Sequence, residues 1–292
     1  MALSEADLVA ATIGRDGPRR SKVIRPVAFS FRDLWAGLIG LSAYSDLLVV
    51  LSAHRLKIRY KQSMLGIAWA VIQPVALMLI YTLVFSVFTR IKTPGVPYAV
   101  FAYAALLPWT FFSTSLTNAT NGLVSHAQLV TKVYFPREIL PISYIVAALV
   151  DLLIASIVMT GLMIYYHVSL TPQALWLIPV TLIMAAFTTA CSLIFSAMQV
   201  RVRDIGMAMP LVLQLWMFGS PVVYSLRQVP ERFRDYYLLN PMVGIIENFR
   251  SALLGNPIDS HSLVISTIMS VVLLPLSYLY FKRVEATVAD VI

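Results

Sequence analysis

The chain has 292 residues, of which 59% are hydrophobic and 12% charged, with a net charge of +8 and a mean hydropathy of +0.80. Soluble globular proteins carry about 25% charged residues, so this composition argues for an integral membrane protein over a soluble core. A lone cysteine, Cys191, excludes an intrachain disulfide framework, and His54, His126, His167 and His261 lack metal-ligand spacing.

Residues 1–28 are polar, rich in small residues and acidic near their start, without the basic and apolar regions of a signal peptide. They read as a flexible tail. From 29 to 63 the pattern changes. Ser45 or Asp46 is placed to cap a helix in which Leu47, Leu48, Leu51, Leu56 and Ile58 recur at roughly helical spacing. Its far end carries Arg55, Lys57, Arg59 and Lys61. Such a helix can lie in the membrane interface with its cations among headgroups, or pack on protein as an ordinary cytosolic helix.

Six apolar segments follow, predicted at 64–88, 98–116, 140–166, 175–200, 205–224 and 263–281. Each approaches or exceeds the roughly 20 residues that cross about 30 Å of hydrocarbon. The expected fold is therefore an all-α integral membrane protein with a six-span domain over 64–282 and a short tail at 283–292. Segments assigned to one side hold sixteen Lys and Arg, against six on the other, which places both termini in the cytoplasm. The same bias attributes the net charge to topology and anionic lipid rather than to nucleic acid.

Segment 225–262 is too long for a simple turn. Its middle, LLNPMVGIIENFRSALLG, is too short and too charged to cross, so an interfacial or re-entrant helix is predicted after Pro241, ending at Gly255. Re-entrant backbone survives at membrane depth only under cover of protein or beside a water-filled cavity.

Several residues stand out against this frame. Asp151 sits alone in the apolar run ISYIVAALVDLLIASIVMTGL, an expensive position in lipid. It can glue helices together, line a cavity or bind a proton. Tyr81, Phe85 and Phe88 share one helical face, either to present rings to sugar C–H faces or to pack helices. Lys132, Arg137 and Glu138 surround Pro136 in KVYFPREILP, which can open a helix with Glu138 near its positive end. That loop serves equally as a lever for a soluble partner or as a topology signal. No phosphate-binding loop, glycosidase-like carboxylate pair or serine elbow occurs, which favours a transport or scaffold subunit over an enzyme.

RLKIRYKQSMLGIAWAVIQP, KVYFPREILP and LLNPMVGIIENFRSALLG, in this order, resemble the membrane subunit of ABC-2 type exporters of O-antigen, teichoic acid and capsular polysaccharide. The likeness covers roughly 31–282. It implies a homodimeric permease in the bacterial inner membrane, paired with two nucleotide-binding subunits that carry ATP and Mg, with no cofactor in this chain. It also implies an interfacial helix ahead of the first span and short periplasmic helices between the fifth and sixth. The substrate would be an undecaprenyl-diphosphate-linked polysaccharide. Arg55, Lys57, Arg59 and Lys61 would then stand at its entrance, Tyr81, Phe85 and Phe88 along its channel, and Lys132, Arg137 and Glu138 beside the ATPase. Two alternatives share parts of this pattern: an ABC-2 exporter of a small lipid or drug, and an ATP-independent flippase or membrane enzyme.

Overall fold

The computed structural model describes residues 44–61, 65–88 and 95–291. The 1–28 tail and residues 29–43 lie outside these, as do Arg90 and Lys92. Among the described residues every regular element is helical. Helix α1 is Ser45–Lys61. A 3₁₀ turn at Gly66–Ala68 leads into α2, Trp69–Tyr81, which continues as a π-helix over Thr82–Phe88. Then come α3 (Tyr98–Ser125), α4 (Ala127–Lys132), α5 (Ile139–Tyr165) and α6 (Leu177–Arg201, entered through a 3₁₀ turn at Pro172–Trp176). They are followed by α7 (Asp204–Phe218), α8 (Glu231–Leu238), α9 (Pro241–Leu254) and α10 (Ser260–Val291).

Among the described residues, five segments are long and apolar enough to cross a membrane: Trp69–Ser86, Tyr98–Ser125, Ile139–Tyr165, Pro172–Arg201 and Ser260–Glu285. The protein is an all-α, multi-pass membrane protein. The fifth apolar segment in chain order differs from its expected extent. Its helix stops at Phe218 after 15 residues, a length of about 22 Å at 1.5 Å per residue. Gly219, Ser220 and Pro221 stop it, because proline lacks an N–H and pushes the residue before it out of the helical region. Elsewhere helices run further than their apolar cores. α3 continues nine residues past Leu116, and α10 continues through the segment expected to be a tail.

α3 is the central element. Ala102, Ala104 and Ala105 on it are fully buried, and small residues let neighbouring helices approach closely. It packs on α5 and α6, α6 packs on α10, and α9 closes the end at which α3 begins. α9 has the boundaries its sequence signals. The Asn240 side chain accepts from the Met242 N–H, Pro241 occupies the first turn, and Gly255 ends the helix at φ +70°. Gly244 lets α9 touch α10, since a Cβ there would collide with the Ser262 backbone and the Ser266 hydroxyl.

α1 packs on protein along one face. Tyr44, Leu47, Leu48 and Leu51 join the cluster of Leu140, Tyr278 and Phe281, while Val49, Val50 and Ile58 are exposed.

Candidate functional site

Where α3 begins, four rings form a chain. Tyr81 meets Phe85 edge-on at 6.2 Å, Phe85 stacks on Tyr98 at 6.2 Å, and Tyr98 lies 6.0 Å from Phe101. The Tyr81 hydroxyl reaches the Met217 sulfur at 3.4 Å, and the Tyr98 hydroxyl donates to the Val223 carbonyl at 2.7 Å. The structure thus brings Tyr81 and Phe85 together, both half-buried, and leaves Phe88 73% exposed. The change from α- to π-helix after Tyr81 alters the turn geometry on which the shared face of all three was predicated.

Arg250, on α9, completes this cluster. Its guanidinium lies 3.8 Å from the Phe101 ring centre and donates to the carbonyls of Pro221 (2.6 Å), Val222 (3.1 Å) and Tyr224 (3.4 Å). It also pairs with Glu247 at 3.0 Å. Asn240 donates to the Gly219 carbonyl and the Ser220 hydroxyl, and accepts from the Trp216 indole. The irregular chain after α7 therefore has its carbonyls satisfied by side chains.

At the opposite end, 133–138 is clamped onto α10. Glu138 is 1% exposed and accepts from Lys282 at 2.8 Å and from the Tyr278 hydroxyl at 3.2 Å. Lys282 also pairs with Glu285 at 2.8 Å, and the Arg137 N–H donates to the Glu285 carboxylate at 3.1 Å. Glu138 precedes α5 but makes no capping hydrogen bond; its carboxylate is spent on α10. Lys132 is exposed at the end of α4.

The cations of α1 divide. Arg55 is half-buried, lies 3.3 Å above the Tyr144 ring, and donates from Nε to the Ser143 hydroxyl at 2.7 Å. Burial lowers its pKa from the usual arginine value. Lys57 and Lys61 are exposed. Arg59 lies within α1, and its side chain is outside the described residues. Beside Arg55 is a cavity of about 340 Å³ lined with His54, Thr114, Asn118, His126 and Tyr144. Asp151 is half-buried and borders a separate cavity of about 70 Å³, in which Gln73, Thr110 and Thr114 are the other polar residues of a largely apolar lining that includes Trp69, Phe111 and Leu152. Among the described residues, no group of three His, Cys, Asp or Glu is placed to hold a metal ion.

Residues 46–254 match the family described as ABC-2 type transporter. The chain belongs to that family. The matched stretch begins in α1 and ends with α9, taking in the aromatic chain and Arg250. The ABC-2 chain is 35% identical over 243 residues to the O-antigen export system permease protein RfbA of Myxococcus xanthus, covering 80% of this chain and 90% of that one. It is 28% identical to the protein of the same description from Klebsiella pneumoniae, over 85% of this chain and 95% of the relative. The polysialic acid transport protein KpsM of Escherichia coli is 26% identical over 69% of this chain and 78% of its own length. These relatives are described as permease and transport proteins, not as enzymes.

Several residues that organise this ABC-2 chain escape a linear reading. Lys282, Glu285 and Tyr278 stand more than a hundred residues from Glu138. Arg250 looks like one of many polar residues on an amphipathic helix. Its placement inside an otherwise apolar face of LLNPMVGIIENFR was the available signal.

Proposed function

We propose that the chain is the permease subunit of an ATP-driven exporter that carries lipid-linked polysaccharide across the bacterial inner membrane. The observation that carries this reading is the 35% identity to an O-antigen export permease over nearly the whole of that protein. Two copies enclose the route, since the described helices of one chain pack around a filled core. α7 with the chain through Tyr224 supplies a sixth crossing, and α8 and α9 sit on the periplasmic side as short helices that do not span. Both termini are cytoplasmic.

Two nucleotide-binding subunits hold ATP and Mg. They press on the inner end, where Lys132 is accessible and the Arg137–Glu138 segment is locked to α10. Lys57, Arg59 and Lys61, with Arg55 beside its cavity, attract the diphosphate of an undecaprenyl-linked glycan through their charge. Tyr81, Phe85 and Phe88 flank the sugar route with contacts that are individually weak, because a tight site would halt conduction. Asp151 acts as a helix-bridging and cavity-lining group.

The test is co-purification with the neighbouring ATPase subunit followed by export in sealed vesicles. Glycan should cross with ATP and stay put without it. Equal export by the chain with no ATPase present would overturn the assignment.

A further inference from the structure

At the end of the bundle closed by α9, the chain from Tyr224 to Tyr237 folds around an open cleft of about 520 Å³. Its walls are the rings of Tyr224, Phe233, Tyr236 and Tyr237, together with the Gln228 amide, Val229 and Pro230. The polar groups among these described lining residues are phenols and an amide, with no carboxylate, guanidinium or ammonium. Of the charges on α8, Arg232 stacks over the Phe233 ring with its guanidinium 4.6 Å from the ring centre, a cation–π contact that leaves it outside the lining itself. Arg234 donates to the carbonyls of Val229 and Arg227, both at 3.1 Å, and lies 3.7 Å from Glu231. Those bonds brace the 227–229 turn against the helix, so the cleft is shaped before anything enters it.

Two of the phenols are fixed as well. The Tyr224 hydroxyl bonds to the Phe218 carbonyl at 2.9 Å and lies 3.0 Å from the Tyr237 hydroxyl. The other two rings are more exposed, Tyr236 at 71% and Phe233 at 45%, with one face of Phe233 covered by the Arg232 guanidinium and the other free for a ligand. Their spacing of three places both on one side of α8.

We infer that this cleft is a saccharide subsite, holding a short neutral stretch of glycan as the polymer leaves the bundle. The inference rests on the export reading above and adds a place where the substrate is held. A sugar ring presents flat C–H faces and a rim of hydroxyls. Aromatic walls bury the former, while phenol and amide groups exchange hydrogen bonds with the latter. A phosphate headgroup calls for a cation in the lining, and an acyl chain calls for aliphatic walls. The cleft's walls are mainly aromatic, with uncharged polar groups and only Val229 and Pro230 as an aliphatic part. The volume falls within the range of about 300–1,000 Å³ usual for small-ligand sites. Stacking tolerates differences between rings, so successive residues of a moving polymer can occupy it in turn.

The experiment is saturation-transfer NMR on the full permease–ATPase complex in nanodiscs, with maltohexaose as the neutral probe. Wild type should pass saturation to the sugar C–H protons. Phe233→Ala combined with Tyr236→Ala should weaken binding about tenfold, given two lost stacking contacts. Phe233→Trp should preserve it, and both rings are exposed enough for either variant to fold. Equal saturation from wild type and the double variant would overturn the cleft. Quenching of the introduced tryptophan by brominated lipid would also overturn it, by making the rings a bilayer anchor. Vesicle export measured alongside separates the two claims. ATP-driven export by a complex that shows no sugar at the cleft sinks the subsite alone. Sugar binding that persists in a complex exporting no glycan supports the subsite and sinks the transport assignment.

Discussion

Replacing Arg250 with methionine keeps most of the stem volume and deletes the guanidinium. In the native protein that group satisfies the Pro221 and Val222 carbonyls at 2.6 and 3.1 Å, touches Tyr224 at 3.4 Å, and balances Glu247 at 3.0 Å. Charged hydrogen bonds contribute about 1.5–3 kcal/mol each, but those contributions do not add, and the Tyr224 contact is long. The dominant loss is the buried pair, since Arg250 is 3% and Glu247 16% exposed at the side chain. Removing one partner of such a pair costs about 3–5 kcal/mol. With about 2–4 °C of melting temperature per kcal/mol for a domain of this size, the expected drop is about 10 °C. Thermal melts read by fluorescence-detected size exclusion in detergent give the number. Arg250→Lys should fall between, because an ammonium keeps the charge but not the fork that reaches two carbonyls at once. Adding Glu247→Gln to Arg250→Met should restore part of the loss. A melting temperature for Arg250→Met within about 2 °C of wild type would refute the claim that this side chain pins the chain after α7.

Three further outcomes are expected. Lys282→Met strands the buried Glu138 carboxylate and should destabilise the protein by about 3 kcal/mol, most of it recovered in Glu138→Gln/Lys282→Met, as paired melts will show. Gly244→Ala drives a methyl into the Ser262 backbone and should lower both folded yield and melting temperature, whereas Gly161→Ala, which meets nothing within 4 Å, should leave both unchanged. Burial holds the His126 pKa below its usual value. The folded protein then binds fewer protons than the unfolded chain across that window, so stability is full above about pH 6.5 and declines as pH falls. Melts between about pH 7.5 and about pH 5.5 should show a slope that His126→Gln reduces.

The spanning helices were legible because the bilayer imposes a length and a polarity that composition alone reveals. α9 was legible for a local reason: an asparagine cap, a first-turn proline and a terminal glycine are short-range signals. The extension of α3 was not. TNATNGLVSH reads as a loop, yet within it Thr117 and Thr120 bond to carbonyls four residues back, and Asn121 bonds to Thr117. Polar side chains that satisfy themselves on their own helix leave no mark in a polarity profile. The end of α7 was hidden for the opposite reason, since apolar composition continues through PVVY after the helix has stopped. The Arg55–Tyr144 stack and the Glu138–Lys282 pair join distant parts of the chain, and no periodicity encodes them.

α10 is one continuous helix of 32 residues, which makes it about 48 Å long. Near its lower end Lys282 is bolted to Glu138, and near its upper end Ser262 and Ser266 are wedged against Gly244 with no room for even a methyl group. A rod gripped at both ends behaves like a connecting rod in an engine. A push of an ångström at the Glu138 grip has no slack to vanish into along a straight shaft. It must either reappear at α9 or be absorbed as bending at Pro275, the proline inside the helix.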